Sequence, residues 1–223
     1  MNPISDWLSN NNFISLQKVW DFNRLIAQMF HSGYGGILLL VKDDSDNWGN
    51  SISQPIIYKN NLRFGFKSRN LISKYDFFTQ MEADAKQNKR TSDSEKELFR
   101  LRIELINEKA KSAVEDISNL TKVDGATILS ENFNILAFGA KIETKEEAPE
   151  KVLVVEPLNK ETEVKSLATI GGMRHQSAAK FVNSQKDCIS IVVSEDKKVS
   201  VFSWNVDQQI VQQIKNFEFI IFD

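Results

Sequence analysis

"G-G-I-L-L-L-V", residues 35 to 41, is the stretch on which the fold turns. Two glycines lead into a run of apolar residues too short for a helix, with no polar residue alternating between them. A strand of that kind is buried on both faces, so it belongs in the middle of a sheet with helices packed over it. On its N-terminal side Leu16, Val19, Trp20, Leu25, Ile26, Met29 and Phe30 recur near helical spacing. They predict a helix from Leu16 to His31, which "HSGYGG" then stops.

On the C-terminal side "PIIY" and "LRFGF" read as weaker strands, and "TSDSEKELFRLRIELINEKAKSAVEDISNL" as the longest helix. That helix opens on Ser92-Asp93-Ser94-Glu95, the pattern of a capping box, and carries Leu98, Leu101, Leu105, Ala113, Val114 and Ile117. After it "DGATIL", "NILAFGAKI", "KVLVV", "CISIVVS" and "KVSVFS" predict strands, with a helix from Arg174 to about Asn183 among them. "KIETKEEAPEK" reads as a charged loop, the tail "VDQQIVQQIKNF" as a helix and "EFIIF" as a closing strand.

No stretch repeats at a fixed period and no Pro-, Gly- or Ser-rich linker divides the chain. These patterns predict an α/β fold, one domain with a mixed central β-sheet flanked by helices. Residues 1-34 form an N-terminal helical segment in this reading, and residues 35-223 form the domain, with an atypical insertion over about 43-120.

Of the 223 residues, 41% are hydrophobic and 26% charged, which allows a sizeable core. With 28 Lys and Arg against 30 Asp and Glu, the net charge of −2 argues against holding duplex nucleic acid by bulk electrostatics. The start "MNPISDWLSNNNF" lacks the basic and apolar regions of a signal peptide, and no apolar run is long enough to span a bilayer. A cytoplasmic protein with no membrane partner is the expectation. The single cysteine, Cys188, sits in an apolar run and reads as a buried, inert thiol. His31, His175 and Cys188 give no ligand pair at zinc spacing, whereas a hard divalent ion held by carboxylates and phosphates stays open.

Three short features carry candidate chemistry. "T-I-G-G-M-R-H-Q-S-A-A-K-F", residues 169 to 181, sets two glycines and the cations Arg174 and His175 at a helix start. Free backbone N–H groups and the positive dipole end favour an anion there, phosphate above all. "V-D-G-A", Val123 to Ala126, puts Asp124 and Gly125 immediately before a strand. "V-V-S-E-D", Val192 to Asp196, ends a strand on acidic residues. Taken singly, each also fits a plain local role: a solvated helix start, an Asp-Gly turn and a hairpin turn.

Their order along the chain resembles the diadenylate cyclase domain family, of the type found at the N-terminus of the DNA-integrity scanning protein. That family carries a Gly-Ala-Leu-Ile-like first strand, an Asp-Gly-Ala motif, a Gly-Thr-Arg-His-Arg-like motif and a Val-Ser-Glu turn. The corresponding stretches here are Gly36 to Val41, Asp124 to Ala126, Gly172 to Gln176 and Val193 to Glu195. The resemblance runs from about Gly35 to Trp204, interrupted by an excursion from Asp43 to Leu120.

It implies the diadenylate cyclase fold and metal-dependent condensation of two ATP into the second messenger cyclic di-AMP, with release of two pyrophosphates. It further implies a face-to-face homodimer or higher homo-oligomer, with Mg²⁺ or Mn²⁺ as cofactor. By the same resemblance Asp124, Arg174 and His175 are catalytic, and Asp124 and Glu195 contact the metal. Gly125, Ala126, Gly172, Met173, Gln176, Ser177 and Ser194 hold the nucleotide. The sequence departs from the pattern at Gln176, where the family has a second arginine, at Met173 for its threonine and at Val123 for its histidine. The alternative reading is a catalytically weak or inactive nucleotide-binding sensor, and a plain α/β interaction domain is the more distant one.

Overall fold

The computed structural model describes residues 16–42, 47–57, 80–86, 92–131, 134–159 and 161–221. Helix α1 (Leu16–Ser32) is followed by strand β1 (Gly36–Val41), a 3₁₀ turn (Asn47–Ser51) and the short strands β2 (Ile52–Ser53) and β3 (Ile56–Ile57). Helix α2 (Asp93–Leu120) precedes β4 (Ala126–Ser130), β5 (Ile135–Ile142), β6 (Lys151–Glu156) and β7 (Glu161–Ser166). Helix α3 (Met173–Gln185), β8 (Ile189–Val193), β9 (Val199–Asn205), β10 (Ile210–Ile214) and the short α4 (Glu218–Ile221) complete the order.

The strands make one mixed sheet in the order β2-β5-β4-β1-β8-β9-β10-β6-β7, with β3 also paired to β5. Strand β1 is buried along its whole length, as its unbroken apolar run requires. It pairs parallel to β4 and antiparallel to β8. Its alternate side chains feed two cores. Leu38 and Leu40 pack with Phe22, Leu25 and Ile26 of α1 and with Val114 and Ile117 of α2. Ile37, Leu39 and Val41 face the other way, toward Ala178, Phe181 and Val182 of α3. Each such side chain contributes roughly 1.5–3 kcal/mol by leaving water. The fold is therefore a single mixed α/β sheet with α1 and α2 on one face and α3 on the other.

The capping box is formed: the Ser92 hydroxyl accepts from the Glu95 amide at 3.3 Å, and the Glu95 carboxylate accepts from the Ser92 amide at 2.9 Å. Among the described residues α2 is the longest helix, but only Ile106, Val114, Ile117 and Ser118 of it are buried. Leu98, Leu101 and Leu105 are about half exposed, so the apolar stripe buries only its C-terminal part. Cys188 is buried, and burial pushes its thiol well up from the usual range, in keeping with an inert group.

Two tail expectations are corrected. "VDQQIVQQIKNF" is not a helix: residues 206–209 form a turn and β10 follows, antiparallel to β9 and parallel to β6. The apolar spacing suits either structure, and two waiting strands decide it. "EFIIF" is not a strand: Asn216 takes a positive φ of 50°, and Phe219 and Ile220 turn back onto the carbonyls of Asn216 and Phe217. The Glu218 carboxylate then accepts from the Val199 amide at 2.8 Å, fixing α4 to β9. Strand β7 was not expected, because its polar sequence "ETEVKS" has no apolar alternation to mark it. The weak strand expected at 62–66 lies outside the described residues, as does the stretch 1–15.

The close approach of α2 to β1 depends on Gly36. A Cβ there would stand 2.7 Å from the Thr121 carbonyl oxygen and 3.3 Å from the Thr121 Cβ. Backbone cannot yield as a flexible side chain does, so Gly36→Ala is an overpacking substitution, expected to destabilise by about 2 kcal/mol. Urea unfolding of wild type and variant measures it; an unchanged midpoint would show that the end of α2 is not seated on β1.

Candidate functional site

The register of three strands builds the site. Gly36 pairs with Val193, and Ile37 pairs with both Ala126 and Val192. The N-terminal ends of β1 and β4 and the C-terminal end of β8 therefore lie along one edge of the sheet. Gly35 immediately precedes β1, Asp124 precedes β4 with Gly125 between them, and Ser194 follows β8 at that same end.

Over this edge stands the N-terminus of α3. Its N-cap is Gly172, with no side-chain cap and no acidic residue in the first turn. The first amides are therefore left for an external acceptor. Gly171 has φ +151°, and a Cβ on it would lie 2.7 Å from the His175 ring. Only glycine fits both the backbone angle and the ring folded beneath it. His175 is half-buried and stands edge-on to Phe202, ring centroids 6.1 Å apart. Burial lowers its pKa from the ordinary 6.5, the charge of Lys215 lowers it further, and Asp196 partly offsets both. The neutral imidazole is the form this environment favours.

Arg174 reaches over Gly35, where any Cβ would collide with its guanidinium. There Nη1 donates to Glu195 Oε1 at 3.1 Å, both side chains remaining well exposed. Glu195 is held by a tight hairpin: the Ser194 amide donates to the Lys198 carbonyl at 2.9 Å, and the Ser194 hydroxyl accepts from the Lys198 amide at 3.1 Å. Lys197 closes the turn with φ 58°. Between this hairpin and α3 opens a cleft of about 630 Å³. Its floor is Val192 and Ser200, and its walls carry Arg174, His175, Lys198 and Lys215.

Of the residues expected from sequence, Gly172, Met173, Arg174, His175, Ser194 and Glu195 line the cleft. Met173 is 83% exposed. Gln176 is turned aside, its Nε2 donating to the Gly171 carbonyl at 3.2 Å. Ser177 is half-buried in α3, outside the lining. Ala126 is buried against the α3 core. Gly125 has φ +108° and packs on Gly139 and Ala140, a contact no Cβ allows. Asp124 is exposed at the shared edge but does not line the cleft. Among the described residues no cluster of three or more His, Cys, Asp or Glu forms a metal cage. Sequence reasoning missed Gly35, Lys198, Ser200, Lys215 and Asn216. A turn at 206–209 followed by a strand pairing with β9 is what brings Lys215 beside Ser200.

Residues 85–206, just over half of the chain, match the family DAC, described as DisA bacterial checkpoint controller nucleotide-binding. The matched span contains α2 and every residue of the three motifs around Asp124, Arg174 and Glu195. No curated protein matches the chain. Among the described residues no helix is long and apolar enough to cross a membrane.

The depressed pKa of His175 has a consequence for stability. The folded protein binds fewer protons than the unfolded chain between the folded value and 6.5. This stability is therefore complete above 6.5 and is lost as pH falls through the folded value. The urea midpoint of wild type should drop more than that of His175→Gln between about pH 7.5 and about pH 5. Parallel pH profiles would mean that the ring is not buried beneath Gly171.

Proposed function

The chain belongs to the diadenylate cyclase domain family, and from that premise we propose that it binds ATP at the α3 cleft and joins two ATP into cyclic di-AMP. One observation carries this reading: an uncapped helix N-terminus bearing Arg174 and His175 opens onto a cleft at the same sheet edge as Asp124. The amides of the first turn and the Arg174 guanidinium suit phosphate oxygens, and a neutral His175 serves as a hydrogen-bond donor.

In the reaction a ribose 3′-hydroxyl of one ATP attacks the α-phosphorus of the other. A new O–P bond forms, the bond to the β-phosphate bridge breaks, pyrophosphate leaves with its electron pair, and the hydroxyl proton passes to a base. Repeating the step closes the ring. Asp124, exposed and clear of the cationic cleft, is the residue we assign to orienting and deprotonating that hydroxyl. Asp124 stands apart from the cleft, which fits a reaction drawing its nucleophile and phosphate from two domains face to face. Mg²⁺ or Mn²⁺ suits the carboxylates of Asp124 and Glu195, since hard ions take one or two protein carboxylates and complete their shell with phosphate and water. When bound it would neutralise charge building on the phosphates. Arg174 would then release Glu195 and turn to the nucleotide.

A second reading, a nucleotide-binding sensor without turnover, is favoured by Gln176, whose side chain serves the Gly171 carbonyl. Incubating the protein with ATP and Mg²⁺ or Mn²⁺ and analysing by mass spectrometry separates the two: cyclic di-AMP supports the cyclase, and bound ATP without product supports the sensor. For the cyclase, Asp124→Asn should lower product formation at least about a hundredfold with ATP affinity nearly unchanged, since it removes a charge and proton acceptor but almost no volume. Arg174→Ala should weaken ATP binding itself by roughly tenfold. Undiminished turnover in the Asp124 variant would overturn the assignment of the base.

A further inference from the structure

We propose that Lys215, which lies beyond the matched residues 85–206, supplies the phosphate-binding cation that Gln176 does not, and that it grips the terminal phosphates of the nucleotide. The inference rests on the nucleotide reading of the cleft and adds a residue to it.

The geometry starts from β10. Ile214 pairs with Val201 of β9, so Lys215 stands one row further on, beside Ser200, where the sheet forms the cleft floor. Its amide still donates to the Val155 carbonyl at 3.0 Å, so the backbone is held in sheet position while the side chain lines the cleft. It lies near enough to the start of α3 for its charge to act on His175.

The charge pattern singles it out. Arg174 is paired with Glu195 at 3.1 Å, and Lys198 approaches Asp196 at 3.9 Å. Among the described residues no carboxylate lies within 4.0 Å of Lys215. A cation in the cleft lining with no carboxylate beside it among the described residues is free to meet an incoming anion without first breaking an ion pair. The position usually held by arginine, Gln176, is committed to the Gly171 carbonyl and lies outside the lining. The end of β10 supplies the cation instead.

The test is calorimetric titration of ATP, adenosine and inorganic pyrophosphate into wild type, Lys215→Met and Lys215→Arg at fixed Mg²⁺ and salt. Methionine keeps most of the stem without the charge, and arginine keeps the charge. Lys215→Met should bind ATP and pyrophosphate roughly tenfold more weakly or worse, with adenosine unaffected, while Lys215→Arg stays near wild type. ATP binding that is equal in wild type and Lys215→Met overturns the inference and leaves the nucleotide reading standing. Equal losses for ATP and adenosine also overturn it, because the lysine would then act on the shape of the cleft. Pyrophosphate held through Lys215 without any ATP binding sinks the nucleotide reading and with it the assignment of Lys215 to the terminal phosphates of ATP; failure of wild type to bind either one likewise sinks both.

Discussion

Everything at the site follows from the double pairing of β1, parallel to β4 on one side and antiparallel to β8 on the other. Two parallel strands start at the same edge, and an antiparallel neighbour ends there. Three segments far apart in sequence, before β1, before β4 and after β8, are thereby brought to one end of the sheet. That pairing in turn requires a strand apolar on both faces, because each side of β1 is covered, by α1 and α2 or by α3. A polar residue at Leu38 or Leu39 would be stranded without a partner in one of the two cores, at a cost of the order of 1–3 kcal/mol.

What the sequence made legible was whatever burial dictates. "GGILLLV" announced its own place, Ser92 and Glu95 announced the start of α2, and the strands after residue 124 were marked by their apolar runs. The tail was misread because Ile210, Ile214 and Phe217 satisfy a helical spacing as well as a strand, and the choice lies with β6 and β9, which no local window contains. Strand β7 was missed for the opposite reason: it is held by backbone pairing with β6 and buries almost nothing.

The same limit applies to the site. The motifs named Arg174, His175 and Glu195, and the fold gathers them around one cleft. They could not reveal that Arg174 and Glu195 hold each other, since that ion pair joins a helix start to a hairpin 21 positions away. An exposed pair of this kind contributes little to stability, typically under about 1 kcal/mol, so it is readily exchanged for a better partner. Gly35 is the less obvious participant. Its missing side chain is the space in which the guanidinium lies, which makes a residue of the strand approach part of the cleft's electrostatics.

The two ends of the sheet bear on how copies of the chain can meet. At one end, among the described residues, β2 and β3 each pair with β5 over two residues. At the other, β7 exposes Glu161 and Glu163 along its length, with Glu161 directly opposite Glu156 of β6. An approaching strand would find the charges of Glu161, Glu163 and Lys165, with Val164 as the one apolar side chain of β7, and charged edges of this kind discourage joining edge to edge. The β7 margin is thus a poor template for a further strand.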